Sequence, residues 1–162
     1  MDLTVYPLRT DAELEACAGL MATSEPWLTL GRAYDASLAL IRAPGKEVYV
    51  ARLDERFAGF LILNMHGAFT GYIQTICVGP ECRGQGIGSR LVEWAEARIF
   101  RDSPNVFMCV SSFNAGAFRL YQRLGYEVIG ELRDYLVRGH SEILLRKTRG
   151  PWTEFASPAA TE

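Results

Sequence analysis

The sequence is poor in histidine, with two among 162 residues. Its four cysteines, Cys17, Cys77, Cys82 and Cys109, are scattered and form no Cys-x-x-Cys pair. Zinc sites draw on clustered cysteine and histidine, so no metal is expected, and the cysteines read as reduced thiols filling core positions. A basic surplus is also missing. Lys and Arg number 17 against 19 Asp and Glu, a net charge of −2 at pH 7. Nucleic-acid binders neutralise phosphates with such a surplus. No nucleic-acid partner is therefore expected, and any bound anion must be held by local geometry. No apolar run approaches the roughly 18–20 residues of a membrane span. The start, Met1-Asp2-Leu3-Thr4, lacks the basic and apolar regions of a signal peptide. The expectation is a cytoplasmic protein with no membrane partner.

What is present is an ordinary globular balance, 49% apolar and 22% charged residues. The length fits one domain. We assign it to residues 1–149 and treat 150–162, rich in Ala, Ser, Thr and Pro, as a C-terminal tail. Leu3 to Leu8 alternates as a short strand. Thr10 followed by Glu13 is a capping-box pattern that opens a helix over 11–22. A second helix is expected over 31–43, ended by Pro44-Gly45. Strands follow at 47–52, 57–65 and 71–78. Ile87, Leu91, Trp94, Ala95 and Ile99 recur at helical spacing, giving a helix over 86–101. A strand at 106–110 precedes a helix at 115–124 with Gly125 in the cap position, and strands at 126–137 and 142–147 close the chain. This order predicts an α/β (α+β) fold with helices on the faces of one mixed sheet.

The informative stretch is Val78-Gly79-Pro80-Glu81-Cys82-Arg83-Gly84-Gln85-Gly86-Ile87-Gly88-Ser89. A strand delivers the chain to a glycine-rich loop that opens directly into a helix. Glycines let backbone N–H groups converge, and the helix start adds free N–H groups and the positive dipole end. That combination holds a phosphate or pyrophosphate without excess basic side chains. A Walker loop is excluded because no Lys follows the glycines. A dinucleotide fingerprint is excluded because Ser89 stands at its third glycine.

Arg83-Gly84-Gln85-Gly86-Ile87-Gly88 instead matches R/Q-x-x-G-x-G/A, and it resembles the acetyl-CoA pyrophosphate loop of the GCN5-related N-acetyltransferase (GNAT) superfamily. A second block, Asn114-Ala115-Gly116-Ala117-Phe118-Arg119-Leu120-Tyr121-Gln122-Arg123-Leu124-Gly125-Tyr126, resembles that superfamily's N-x-x-A-x-x-x-Y-x-x-x-G-F/Y signature. The two blocks stand in the family's order, and the element order agrees over roughly residues 3–148. The resemblance implies a mixed, mostly antiparallel sheet of six to seven strands flanked by about four helices. It implies an acyltransferase that uses acetyl-CoA as co-substrate, without metal, and acetylates a primary amine by direct attack in a ternary complex.

By the same resemblance, backbone groups of Ile76, Cys77 and Val78 hold the pantetheine arm and polarise the thioester. The loop Arg83, Gly84, Gln85, Gly86, Ile87, Gly88 and Ser89 holds the pyrophosphate. Asn114 and Ala117 join the cofactor side, although Asn114 also reads as a helix N-cap. Tyr121 becomes the acid that protonates the leaving thiolate, with a core tyrosine as the alternative. The superfamily often supplies a base as a glutamate on a central strand. Neither 72–76 nor 106–110 carries a carboxylate, and Cys109 stands where the ribosomal-protein alanine acetyltransferases have that glutamate. Water relayed by Gln74 or Thr75, Glu25, Asp134 and His140 are the alternatives. A covalent acetyl carrier at Cys109 is disfavoured, because a buried thiol holds little thiolate.

Acceptor-side residues are expected from the loop after the first helix and from the last hairpin: Glu25, Trp27, Gln74 and Tyr135. Glu25-Pro26-Trp27 and Tyr135 resemble the ribosomal-protein alanine acetyltransferase branch, where such a tyrosine grips a peptide N-terminus. Trp27 and Tyr135 read equally as sheet-edge packing. The acceptor is thus a protein N-terminus or a small-molecule amine, and the protein a monomer or homodimer. The alternative to an enzyme is a non-catalytic CoA-binding sensor or interaction module on the same fold.

Overall fold

A computed structural model describes residues 1–157; residues 158–162, part of the expected tail, lie outside the described residues. Seven strands and four α-helices are found among them. In chain order they are β1 (Leu3–Pro7), α1 (Asp11–Ala22), α2 (Tyr34–Arg42), β2 (Glu47–Leu53), β3 (Arg56–Asn64), β4 (Tyr72–Val78), α3 (Ile87–Ile99), β5 (Asn105–Ser111), α4 (Ala115–Arg123), β6 (Glu127–Arg133) and β7 (Ser141–Thr148). The strands form one sheet in the order β1-β2-β3-β4-β5-β7-β6. Every neighbouring pair is antiparallel except β4 and β5. Parallel neighbours need a crossover longer than a hairpin turn, and α3 supplies it. The expected mixed, mostly antiparallel sheet with four helices is what the chain forms.

Both faces of the sheet are covered. On one side Leu14, Cys17, Ala18 and Met21 of α1 and Ile41 of α2 pack on Val50, Phe60, Ile62 and Cys77. On the other, Leu91, Val92, Ala95 and Ile99 of α3 pack on Leu61, Leu63, Ile73, Val106, Met108 and Leu145. In β3 the alternation of a strand sends Phe60 and Ile62 to the first layer and Leu61 and Leu63 to the second. All four are fully buried, which is why this strand reads as an unbroken apolar run.

Helix boundaries follow local chemistry. The capping box at α1 is complete: Glu13 N–H donates to Thr10 Oγ1 and Thr10 N–H to Glu13 Oε2, each at 3.2 Å. The backbone N–H of Arg9 also donates to Glu13 Oε2, and this bond leads the effects that hold the Glu13 carboxyl below its usual range. Thr10→Ala removes the cap and should cost about 1 kcal/mol, read as a lower urea midpoint at unchanged slope.

Two expectations need correction. The second helix starts at Tyr34 rather than residue 31. Residues 24–32 are taken up by successive turns, including Leu28 N–H to Ser24 O and Arg32 N–H to Trp27 O, and a left-handed Gly31 (φ 74°) ends them. Strand β6 stops at Arg133 rather than residue 137. Asp134 takes a left-handed conformation (φ 51°), and its carboxylate accepts the Gly139 N–H at 2.7 Å, closing a loop over 134–140. Within the described part of the tail, Trp152–Glu154 forms one 3-10 turn, and the Trp152 and Phe155 rings meet at 5.5 Å.

Candidate functional site

The site arises where the sheet comes apart. β4 and β5 are in register only at Tyr72 with Phe107 and Ile73 with Met108. Beyond that point β4 stays paired with β3 as far as Val78, and β5 with β7 as far as Ser111. The inner edges of the two strands therefore diverge with no strand between them. Backbone N–H and C=O groups on such edges need partners. An extended ligand bearing amide groups could supply them.

The gap is a cleft of about 390 Å³. Gln74, Thr75 and Ile76 of β4 line one wall and Met108 to Ser111 of β5 the other. Asn114, Ala117 and Tyr121 of α4 line it as well, together with Glu25, Trp27, Tyr135 and Glu142. Cys77, Val78 and Arg83 face an adjoining hollow of about 280 Å³ shared with Glu25, Trp27 and Ile76.

The glycine loop lies past the end of β4. A 3-10 turn at Pro80–Cys82 leads into Gly84 (φ 72°) and Gly86 (φ 75°), both left-handed, and Gly86 caps α3. No side chain caps that helix, so its first N–H groups stay free for an anion. The loop's polar side chains brace it rather than project from it. Arg83 donates from Nε to the Val78 carbonyl at 3.0 Å and from Nη2 to Ser24 Oγ at 3.2 Å. Gln85 Nε2 donates to the Glu81 carbonyl at 3.0 Å. Gly84 to Ser89 thus offer mainly backbone to a ligand.

On α4, Asn114 is the N-cap, and its Oδ1 accepts from Ala117 N–H at 3.3 Å. Gly125 ends the helix in a left-handed conformation, as its sequence position suggested. Tyr121 lies two turns past Asn114 on the same side of the helix. Its ring meets Tyr126 edge to face at 6.2 Å. Burial pushes its pKa up to about 12, so the hydroxyl holds its proton throughout the physiological range.

Glu25, which lines both the cleft and the adjoining hollow, is exposed, and its carboxylate accepts the Thr29 N–H at 3.2 Å. Trp27 is buried in the α1–α2 layer while also touching the cleft. Tyr135 is 61% exposed and also lines the cleft. Of the other suggested bases, Asp134 is engaged in its loop and His140 stacks on Phe113 at 4.8 Å; neither lines the cleft. Cys109 is half-buried. Burial is the main cause that raises its pKa, so a thiolate carrier there gains no support.

One cleft residue escaped the sequence reading. Glu142 lies directly across from Ser111 in the β5–β7 register and is 7% exposed. Ser111 Oγ donates to its Oε1 at 3.1 Å, while Oε2 is buried without a hydrogen-bond partner among the described residues. Burial raises its pKa, opposed by the Ser111 bond and by His140. The available signal was the position of Glu142 in Ser141-Glu142-Ile143-Leu144-Leu145, an acid at the entry of an apolar strand.

The sequence model of the acetyltransferase (GNAT) family matches residues 12–126. An uncharacterized N-acetyltransferase of Methanocaldococcus jannaschii is 33% identical over 103 residues, covering 62% of this chain and 65% of that protein. The chain thus spans just under two thirds of that relative's length. The N-alpha-acetyltransferase RimI of Mycobacterium tuberculosis is 29% identical over 149 residues, covering 87% of this chain and 90% of its own. The spermidine N-acetyltransferase of Vibrio cholerae, solved in complex with CoA and spermine, superposes with a TM-score of 0.71 at 18% identity, covering 90% of this chain and 95% of that one. At that identity the likeness concerns the fold.

Proposed function

The chain belongs to the acetyltransferase (GNAT) family, and from that premise we propose that it transfers the acetyl group of acetyl-CoA to a primary amine by direct attack in a ternary complex. The observation that carries this reading is the parting of β4 and β5 after Ile73 and Met108. It opens one cleft that Tyr121 and the acceptor-side residues share.

The residues present fit acetyl-CoA on their own geometry. The backbone groups along Gln74–Val78 that face away from β3 suit the amides of a pantetheine arm, and the glycine loop with the α3 start suits a pyrophosphate. Acetyl-CoA supplies the activated acyl group as a thioester. The N–H groups of Ile76 and Val78, which alternate with Cys77 N–H on the β3 side, would aim from the open edge of β4 at an acyl oxygen gaining negative charge, the role of pre-aimed donors in acyl transfer. Asn114 and Ala117 flank the arm. Tyr121 holds the proton that a departing sulfur takes up. Arg83 acts by bracing the loop against β4 and Ser24.

The acceptor-side wall, with Glu25, Trp27, Gln74 and Tyr135, admits either a protein N-terminus or a small amine. RimI bears the name of an N-alpha-acetyltransferase and the Vibrio cholerae neighbour that of a spermidine acetyltransferase, so both acceptor classes enter the test. The protein is incubated with acetyl-CoA and a panel of polyamines, aminoglycosides, amino acids and short peptides. Thiol release is followed, and products are identified by mass. We expect acetyl transfer to at least one primary amine, with intersecting initial-rate lines. Tight CoA binding with no turnover on any amine would overturn this reading in favour of a binding module. Parallel lines would replace direct attack by a covalent carrier.

A further inference from the structure

We propose that Glu142, which lines the cleft and whose buried Oε2 has no partner among the described residues, is the group that takes the proton from the acceptor ammonium. This rests on the acetyltransferase reading above and adds to it the residue that the central strands do not provide.

The argument starts from an imbalance. A carboxylate oxygen out of water without a hydrogen-bond donor is costly. Glu142 is held in that state by its neighbours. β7 is an inner strand, between β5 and β6, so its entry cannot swing into solvent. Ser111, opposite in register, fixes Oε1 at 3.1 Å. Oε2 keeps no protein donor, and among the described residues none of the ion pairs involves Glu142. The side chain lines the same cleft as Tyr121. An ammonium bound in the cleft beside Glu142 would supply the missing donor.

The groups that bear on Glu142 come from three sides. β5 presents Ser111 and Cys109, and β4 presents Tyr72. The last hairpin contributes His140, while Tyr135 bears on Tyr72. Of these only His140 can add positive charge, and burial outweighs it, so the carboxyl stays above its ordinary range. Such a shift suits a general base, whose pKa works best when close to the operating pH. Glu25 is the other carboxylate at the cleft, but it is exposed and occupied by the Thr29 N–H.

The protons balance. One N–H proton of the ammonium passes to Glu142 Oε2 and frees the nitrogen lone pair. That pair forms the C–N bond to the acetyl carbon while the C–S bond breaks. The departing sulfur takes the Tyr121 proton. The second nitrogen proton returns to the Tyr121 oxygen, and Glu142 releases its proton to solvent. The net products are the amide, the free thiol and one proton.

The test is Glu142→Gln, which keeps size and the Ser111 contact. In the wild-type protein, kcat/KM for the amine should rise with pH through a limb set by Glu142. The variant should lose about 100-fold at neutral pH and lose that limb, with KM for acetyl-CoA and the melting temperature unchanged. Carbon-13 NMR of glutamate-labelled protein gives a readout independent of turnover. One carboxyl, missing from the spectrum of the variant, should titrate above the ordinary glutamate range. An active wild type with a variant that keeps its pH limb, or a Glu142 signal titrating in the ordinary range, overturns this proposal alone. A wild type that binds CoA but acetylates no amine overturns both it and the reading beneath it.

Discussion

Tyr121→Phe lowers kcat by about 10³-fold while KM for acetyl-CoA stays within a factor of about two; general acid catalysis by a positioned side chain supplies roughly 10²–10⁴-fold. Steady-state kinetics on any amine that turns over checks this. The size of the effect follows from where the hydroxyl stands. It faces the cleft from α4, two helical turns past Asn114. No protein group among the described residues hydrogen-bonds it, so its proton is not committed elsewhere. Burial holds its pKa up to about 12, and the acid form is the resident one at neutral pH. The sign of the pH dependence follows. A raised pKa leaves the acid intact as pH rises, so no alkaline loss of activity from Tyr121 should occur until well above neutrality. Removing an oxygen without a protein partner orphans no other group. The melting temperature of the variant should therefore match the wild type, which separates a chemical role from core packing. A kcat within threefold of wild type would return Tyr121 to the core.

The parts of the fold that could be read beforehand are those decided by neighbours in sequence. The Thr10–Glu13 box, Asn114 as a cap and Gly125 as a stop are interactions within a few residues. The apolar run of β3 is local too, since both of its faces are buried. The second helix failed at its start because Gly31 lies between turns that reach back to Ser24, Pro26 and Trp27. A helical pattern does not reveal that competition. Strand β6 was overextended because nothing in the run announces that Asp134 will turn left-handed to accept the Gly139 N–H.

The site divides in the same way. Asn114, Ala117, Tyr121 and the glycine loop sit in contiguous motifs, so the sequence alone could single them out as candidates. The cleft was implied only through family resemblance, because it consists of pairing that stops: β4 and β5 share two registered pairs and then part. Periodicity marks strands and says nothing of where neighbours separate. Glu142 was hidden for a related reason. Its meaning comes from Ser111, 31 residues away, through the β5–β7 register. The sequence names Glu25, Asp134 and His140 as alternative bases, but nothing in it reports the register that sets Glu142 against Ser111. The Arg83 side chain likewise had its partners, Val78 O and Ser24, fixed by tertiary folding rather than by the loop motif.

Gly86→Val should weaken CoA binding about 100-fold, measured by calorimetry on the protein alone. Gly86 is left-handed (φ 75°) at the cap of α3, and a Cβ built there meets nothing within 4 Å. Crowding of the free protein is therefore not the objection. The objection is conformational: a β-branched residue resists this backbone region, at a cost of about 1–2 kcal/mol. The chain relieves that strain by rotating the peptides that aim the first N–H groups of α3. Hydrogen bonds to a charged group are worth roughly 1.5–3 kcal/mol each. Misaligning one or two of them accounts for about two decades of affinity at 1.4 kcal/mol per decade. Gly88 is the internal control. Its φ is not left-handed, and an added Cβ lies in ordinary contact with Leu120 Cδ2 at 3.6 Å, so Gly88→Ala should keep most of the affinity. Arg83→Ala separates backbone from side chain. Because the guanidinium is committed to Val78 O and Ser24 Oγ, its loss should cost less binding than Gly86→Val and should chiefly loosen the loop. If Arg83→Ala proved the more damaging of the two, the anion would be held by that side chain, and the backbone cradle would be the wrong account of how a chain of net charge −2 binds a pyrophosphate.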